Sequence, residues 1–471
     1  MIRPQLDRAA GAPADAPARH AWNAALAWLA VLAMLAVAIG YAPMINNGDW
    51  WRVCPSGHFS AMGWQPLHAS YPLIATGAAP NSTLALLVQL GLWLQLALGA
   101  QVYWTPLIFL SLCGVFLAGC FMALGNCRCV ADRWILALVI LMGALYGFYF
   151  KSFYQEAATL ALLPWFLGGM LALRGGRPAI LFLTTCLLLA SKVENVFFVP
   201  IALAVFLGSS YPRKTRWVAV TLLALVAIVG FSLRVERDFT APNAYNRYYS
   251  GVGWVSKGVA TAPHRTFNGL RTYFYSTLPK SLEDPKSIPP KGADLMGSSY
   301  WPTGWGLSEI AAAGSSADQS RFRDIMRHGQ IGPFLGHFAR HPGSIPGYLW
   351  ASLAVAARLN YDLNYLRVAS IQPVDPLPFI ARADDFVLSR LGAVYVALFA
   401  SALLVAAWRR SAAGALLAGY FFVGAPIFCV LGDGYYEIEK HLSSLWFFAP
   451  VILHMVITDL GRRSSPGAAA S

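Results

Sequence analysis

The stretch WNAALAWLAVLAMLAVAIGY, from Trp22 to Tyr41, decides the fold class of this chain. About 20 apolar residues at ~1.5 Å each match the ~30 Å hydrocarbon core of a bilayer, so this stretch predicts a transmembrane helix. A few residues later the chain reads Asn46-Asn47-Gly48-Asp49-Trp50-Trp51-Arg52. Asp49 is therefore expected at the membrane interface, beside tryptophans suited to headgroup depth and an arginine suited to a phosphate. The alternative is an ordinary Asn-Gly turn that leaves Asp49 exposed to water.

The composition of the whole chain also predicts a membrane protein. Its 471 residues are 57% hydrophobic and only 12% charged, with a mean hydropathy of +0.52. A soluble protein carries roughly 25% charged residues, so the sequence predicts a polytopic integral membrane protein. The net charge of +13 arises in short basic loops that orient spans, and nucleic acid is not expected as a partner. The seven cysteines imply no disulfide framework.

The basic loops set the predicted topology, because loops rich in arginine and lysine stay on the cytoplasmic side. This rule gives about ten crossings with both termini cytoplasmic, and the N-terminal tail reads as an uncleaved signal anchor. The predicted spans are Trp22–Tyr41, Tyr103–Leu124, Trp134–Phe150, Ala157–Leu173, Pro178–Ser191, Asn195–Gly208, Arg216–Leu233, Arg390–Trp408, Ala412–Leu431 and Leu442–Leu460. The apolar stretch Ser82–Gly99 could be a further span, but counting it would move the basic loops at Arg128 and Arg174 outside, so it is predicted to lie on or dip into the outer face. Tyr348–Ala357 is too short to span and is predicted to be a second interfacial segment.

These spans divide the chain into membrane and periplasmic parts. The parts are a cytoplasmic tail (1–21), a GT-C-like transmembrane module (22–233) with a first periplasmic loop (42–102), a periplasmic loop subdomain (234–389), C-terminal transmembrane helices (390–460) and a second cytoplasmic tail (461–471). The segment 234–389 is far longer than a connecting loop requires and predicts a small mixed subdomain. The predicted fold class is therefore an all-α polytopic membrane protein with a mixed extracytoplasmic loop subdomain.

Four polar clusters fall on the predicted outer face, and together they predict an active site there. They are the Asp49 loop, Lys151 to Glu156, Ser191 to Asn195, and Gly432 to His441. Lys192 and Glu194 lie between two short apolar runs, at a depth where an ionisable residue costs roughly 2.5–3.5 kcal/mol and marks a substrate path. The structural alternatives are ion pairs of Lys192 with Glu194 and of Glu156 with Lys151. No nucleotide-binding fingerprint is present.

Several of these motifs resemble those of GT-C membrane glycosyltransferases, and more narrowly those of bacterial surface-glycan hexosyltransferases of the WsfD type. The likeness rests on Asn47 to Val53, Phe153-Tyr154-Gln155-Glu156, Tyr273 to Tyr300, Arg340-His341-Pro342, and Gly432-Asp433-Gly434 followed by Lys440-His441. The segments Tyr435-Tyr436-Glu437 and Trp446 to Pro450 depart from the family pattern.

The resemblance implies inverting transfer of a hexose from a polyprenyl-phosphate donor to a cell-surface glycan or lipid-linked acceptor, on the periplasmic face of the bacterial inner membrane. Asp49 would act as the general base that deprotonates the acceptor hydroxyl. Glu156 would orient substrate hydroxyls, or join Asp49 in holding a divalent cation (Mg²⁺ or Mn²⁺), since the family has metal-dependent and metal-independent members. The residues expected to bind the substrate or its phosphate are Arg52, Lys192, Lys440 and His441.

Two other functions remain compatible with the sequence. A lipid-linked polysaccharide polymerase or ligase would share the topology and the long outer loop, but would use arginine clusters in place of a first-loop carboxylate. A transporter would be built from repeated half-domains with interrupted spans in matching positions, and the sequence contains no such repeat.

Overall fold

The computed structural model describes residues 16–40, 70–72, 82–152, 155–173, 177–192, 195, 198–208, 213–234, 336, 339–340, 342–344, 397–408, 412–420, 424, 447–452 and 454. The α-helices are α1 (Ala16–Gly40), α2 (Thr83–Ala97), α3 (Pro106–Asn126), α4 (Val130–Leu145), α5 (Gln155–Leu173), α6 (Pro178–Leu189), α7 (Phe198–Gly208), α8 (Arg213–Arg234), α9 (Ala397–Trp408) and α10 (Ala412–Gly419). Residues 447–452 are also helical, and short 3₁₀ helices cover Gly147–Lys151 and Pro342–Ser344. Strands β1 (Ser70–Pro72) and β2 (Val102–Trp104) pair antiparallel. The described part of the chain is therefore mostly helical, as predicted.

Three of the described helices are long and apolar enough to cross a membrane. They are Ala18–Ile39, Pro106–Asn126 and Gln155–Leu173, and each coincides with a predicted span. The other predicted spans correspond to shorter helices, to α8, in which the apolar part is the short stretch Trp217–Val226, or lie partly outside the described residues. The loop subdomain and the interfacial segment Tyr348–Ala357 fall almost wholly outside them.

The predicted span Trp134–Phe150 is wrong in its limits. The helix α4 ends at Leu145, and a buried 3₁₀ helix, Gly147–Lys151, follows it. The aromatic residues of this 3₁₀ helix are as hydrophobic as those of a transmembrane helix. A prediction from hydropathy alone therefore extends α4 through them. The start is also earlier than predicted, because the Asp132 carboxylate accepts the backbone N–H groups of Arg128 and Cys129 at 2.9 and 3.2 Å.

Contacts near both ends of α1 and α4 show that these helices run in the same direction. Near their starts, Arg133 Nε donates to Asn23 Oδ1 at 3.0 Å, and near their ends Val37 fills the space beside Gly147. Since α3 and α4 are joined by a short turn and Phe116 packs over Gly143, α3 runs in the opposite direction.

The helix α5 runs parallel to α3 at the centre of the bundle, and 94% of its most apolar stretch is buried inside the protein. Small residues bring the two helices close together, as is common between membrane helices. A Cβ atom on Gly119 would lie 2.5 Å from the Trp165 side chain, and one on Gly168 would meet Met122. Trp165 Nε1 also donates to the Val115 carbonyl at 2.7 Å.

The helix α6 runs antiparallel to α5. Gly169, near the end of α5, faces Leu181 at the start of α6, and Thr159 near the start of α5 bonds Ser191 just beyond α6. Consequently α1, α4 and α6 end at the same end of the bundle where α3 and α5 begin. We call this the Glu156 end.

The helix α2 starts and finishes at the Glu156 end. Its first residue, Thr83, donates its backbone N–H to the Ala190 carbonyl at 2.8 Å. Its middle residue Gly91 faces Leu107 at the start of α3, and near its last turn Gln95 Oε1 accepts the N–H of Trp104 at 2.8 Å. This placement agrees with the prediction that Ser82–Gly99 does not cross the membrane.

A buried polar contact ties the last described residue to α4. His454 Nε2 lies 3.0 Å from Asp132 Oδ1, and the two side chains are 3% and 0% exposed. The helical segment 447–452 packs against the end of α4 and against α5 through aromatic rings. The ring centres of Phe447 and Tyr146 are 4.8 Å apart, and those of Phe448 and Phe166 are 5.4 Å apart. The C-terminal part of the chain therefore shares one core with the N-terminal helices.

Candidate functional site

Glu156 and Lys192 form a buried ion pair at the Glu156 end. Lys192 Nζ lies 2.6 Å from Glu156 Oε1, and the side chains are 5% and 2% exposed. Glu156 lies in the first turn of α5, where the partial positive charge of the helix N-terminus favours a carboxylate. Lys192 follows the short helix α6, as its position between two short apolar runs predicted. The structure therefore brings together two of the predicted site residues.

A layer of uncharged polar side chains lies one helical turn below this ion pair. Thr159 Oγ1 and Ser191 Oγ are 3.0 Å apart. Asn195 Nδ2 donates to both, at 2.8 Å to Thr159 and 2.7 Å to Ser191. All three residues are fully buried. In the sequence, the polar break from Ser191 to Asn195 indicates a functional site only through its charged residues. Thr159 is a single hydroxyl in an apolar run, so the sequence does not indicate it.

Lys151 does not pair with Glu156, so that structural alternative is wrong. Its ammonium donates to the Ala38 carbonyl at 3.3 Å and lies 4.4 Å from the centre of the Phe109 ring. Ala38 belongs to the last turn of α1, where carbonyl groups lack helical partners and a cation is favourable. Burial lowers the pKa of Lys151 below its ordinary value. Lys151 thus fastens the end of α1 to the 3₁₀ helix that precedes Glu156.

The remaining predicted site residues lie outside the described residues. They are Asp49, Arg52, Glu194, Lys440 and His441. Their roles stay predictions, and so does the alternative pair of Lys192 with Glu194. The chain enters the Asp49 loop from Gly40, the last residue of α1, which is at the Glu156 end.

The described residues do not form a divalent-cation site. Within them, no group of three or more His, Cys, Asp or Glu side chains comes together. Of the two expected ligands only Glu156 is described, and its Oε1 atom contacts the ammonium of Lys192. A cation at that oxygen would face a positive charge at close range.

An apolar groove of about 410 Å³ begins within the first turn of α5 below Glu156. It lies between the start of α2 and the helices α3, α5 and α6, and its lining includes Leu87, Val115, Trp165 and Leu187. Leu183, on its rim, is 60% exposed, so the groove opens sideways from the bundle. In a membrane-spanning protein that direction is toward lipid, and hydrocarbon is the material that an apolar groove accommodates.

Residues 74–259 match the family model of the YfdI N-terminal transmembrane domain. The match contains α2 to α8, and therefore the Glu156–Lys192 pair and the groove. With the membrane-spanning helices it identifies the chain as an integral membrane protein similar to the YfdI family, which is associated with glycosyltransferase-like membrane proteins. Comparison with curated proteins and with solved structures found no match.

Proposed function

We propose that this protein is a membrane glycosyltransferase that moves a hexose from a polyprenyl-phosphate donor to a glycan or lipid-linked acceptor on the periplasmic face of the bacterial inner membrane. The observation that carries the proposal is the buried Glu156–Lys192 pair at the end of the bundle where a laterally open apolar groove also begins. A donor of this class has the matching chemistry, because it joins an anionic phosphate to a long hydrocarbon chain. The similarity to a glycosyltransferase-like membrane family supports the same assignment.

In this proposal Lys192 binds the donor phosphate. Its ammonium carries a positive charge and donates hydrogen bonds, which suits it to a phosphate oxygen. As the bond between the sugar and the phosphate breaks, negative charge grows on the leaving phosphate, and a positioned cation stabilises it. Glu156 is a positioning residue here, because its carboxylate lies 2.6 Å from the ammonium and fixes the direction of the lysine side chain.

Asp49 is the proposed general base. The acceptor hydroxyl transfers its proton to the Asp49 carboxylate as its oxygen attacks the anomeric carbon from the face opposite the phosphate. The glycosidic bond forms, the carbon–phosphate oxygen bond breaks, and the polyprenyl phosphate leaves with the electron pair. The configuration at the anomeric carbon is inverted. Arg52, Lys440 and His441 are proposed as further contacts to the phosphate or the acceptor.

The test is transfer by the purified full chain in liposomes. Polyprenyl-phosphate hexoses labelled in the sugar are supplied together with membranes from a strain that lacks this protein. We expect label to move into surface glycan or glycolipid with wild-type protein. Lys192→Met should weaken donor binding about tenfold or more, since a charge-assisted contact contributes roughly 1.5–3 kcal/mol. Lys192→Arg should retain part of the affinity because the charge remains.

Two controls make the result specific. Lys151→Met removes another buried ammonium at the same end of the bundle, and donor affinity should stay within a factor of two or so of wild type. The double variant Glu156→Gln with Lys192→Met removes both charges, so weak donor binding there does not come from a leftover carboxylate that repels phosphate. Failure of every labelled hexose to move would refute the proposal. Growth of a lipid-linked glycan chain, or movement of a solute without transfer, would favour one of the other two functions.

A further inference from the structure

Asn195 carries a hydrogen-bond acceptor that its surroundings do not satisfy. The residue is fully buried, and within the part of the chain that the structure describes its Oδ1 atom has no hydrogen-bond partner. Native proteins satisfy nearly all their buried polar atoms, because an unsatisfied acceptor forfeits the bonds it would make with water. An acceptor left open at this depth points to a donor that arrives with a bound molecule.

The neighbours of Asn195 establish which end of the amide is open. One amide atom lies 3.0 Å from the Leu188 carbonyl, which can only accept, so that atom must be the nitrogen. The same nitrogen reaches Ser191 and Thr159 at 2.7 and 2.8 Å. Rotating the amide by half a turn would set two acceptors against each other. The unsatisfied atom is therefore the oxygen, held in one direction by contacts on the nitrogen side.

The position of this oxygen relates it to the proposed donor site. The backbone N–H of Asn195 donates to the carbonyl of Lys192 at 3.2 Å, and Thr159 lies one turn along α5 from Glu156. The open acceptor thus belongs to the same short segment as the ammonium assigned to the phosphate. On a phosphate-linked hexose, hydroxyl groups are the donors nearest to that phosphate.

We infer that Asn195 is a specificity-determining residue whose side-chain oxygen accepts a hydrogen bond from a hydroxyl group of the donor sugar. The inference rests on the proposed function and deepens it, because it names the part of the substrate that this side chain reads. A site built to pair a substrate hydroxyl discriminates strongly against analogues that lack it. A buried water molecule would supply the same chemistry without reading the sugar, and the experiment separates these two donors.

The experiment measures binding to the purified full chain in lipid nanodiscs. The probes are polyprenyl phosphate, its glucosyl, galactosyl and mannosyl esters, and the monodeoxy analogues of whichever ester binds most tightly. For wild-type protein, removing one particular hydroxyl should weaken binding about tenfold, as expected for loss of one buried hydrogen bond. In Asn195→Leu the parent ester and that analogue should bind equally, while polyprenyl phosphate binds as it does to wild type.

Thr159→Val is the matched control. It removes a hydroxyl from the same polar layer and leaves the amide oxygen in place, so discrimination between the parent ester and the deoxy analogue should persist. Equal wild-type affinities for all the monodeoxy analogues would overturn the inference without requiring any variant. Equal loss of discrimination in Thr159→Val and Asn195→Leu would also overturn it and assign Asn195 a structural role. If polyprenyl phosphate binds but its sugar esters bind no more tightly, only the Asn195 inference fails. If none of the probes binds, the proposed function fails as well.

Discussion

Replacing Lys192 with methionine removes the ammonium of the buried pair and keeps its apolar stem. The distance from Nζ to Glu156 Oε1 is 2.6 Å, and the side chains are 5% and 2% exposed, so water screens neither charge. Removing one partner of such a pair lowers the free energy of unfolding by about 3–5 kcal/mol, because the other charge stays buried without it. We expect a loss of that size for Lys192→Met.

Glu156→Gln, which removes the other partner of the ion pair, should lower the free energy of unfolding more than Lys192→Met does. Glu156 lies in the first turn of α5, where the helix N-terminus contributes about 0.3–1 kcal/mol to the stability of a carboxylate. Lys192→Met leaves that contribution intact, whereas Glu156→Gln removes it together with the ion pair. The free energy of unfolding should therefore fall further in Glu156→Gln, by an additional ~0.3–1 kcal/mol.

The assay is equilibrium unfolding in mixed micelles of increasing SDS content, followed by tryptophan fluorescence. The double variant Glu156→Gln with Lys192→Met should lose less stability than the sum of the two single variants, with a coupling energy of about 0.5–3 kcal/mol. Lys151→Met is the matched control, because its ammonium donates to the Ala38 carbonyl at 3.3 Å and contacts no carboxylate of the described residues. Its effect should add to that of Glu156→Gln.

Two results would refute this reasoning. One is additivity of Glu156→Gln and Lys192→Met to within about 0.5 kcal/mol, which is the scatter expected for independent sites. The other is coupling of Glu156→Gln to Lys151→Met, which would mean that the carboxylate pairs with the nearer lysine along the chain.

Three further predictions concern helix packing, topology and chemistry. Gly119→Ala should destabilise the protein by about 1–3 kcal/mol, because its Cβ would lie 2.5 Å from Trp165. Gly114→Ala on the same helix should be neutral or stabilising in the same unfolding assay, because no atom of the described residues lies within 4 Å of the new Cβ. A cysteine at Gln155, in a background lacking other accessible thiols, should react with an impermeant maleimide in intact spheroplasts, and one at Arg177 should react only after lysis; the opposite pattern would invert the topology. Asp49→Asn should reduce transfer by roughly 10²–10⁴-fold while leaving donor affinity unchanged, and retention of more than about a tenth of wild-type turnover would exclude Asp49 as the base.

The long apolar runs determine much of the described fold, and the helices that they form can be predicted from the sequence. The runs behind α1, α3 and α5 contain enough apolar surface to dictate helices of bilayer length, and the structure has them within a few residues of their predicted limits. The end of α4 could not be predicted in the same way. A buried 3₁₀ helix of aromatic residues has the hydropathy of a span, and only its tertiary packing distinguishes it.

The candidate site divides along a similar line. The position between two short apolar runs indicates Lys192, because an ionisable group is expensive at that depth, whereas Glu156 is indicated by the polar cluster from Lys151 to Glu156 and by the family resemblance. Their pairing could not be read, since 36 residues separate them and nearer partners in the sequence looked equally suitable. Asn195 carries no charge, so nothing in the sequence distinguishes it. It is a candidate because its side-chain oxygen has no hydrogen-bond partner among the described residues, and only the three-dimensional structure reveals this.

The contact between Asp132 and His454 can form only late in the synthesis of the chain. The two residues are 322 positions apart, so at about 5–20 residues per second the ribosome makes the aspartate roughly 15–65 s before its histidine. During that interval the backbone N–H groups of Arg128 and Cys129, which are made just before Asp132, can already hold one carboxylate oxygen. The other oxygen contacts the imidazole only after the segment that contains His454 has been made. A nascent chain released before His454 is made therefore lacks the contact that joins the two ends of the sequence in one core, and this difference offers membrane quality control a means to distinguish unfinished copies from finished ones.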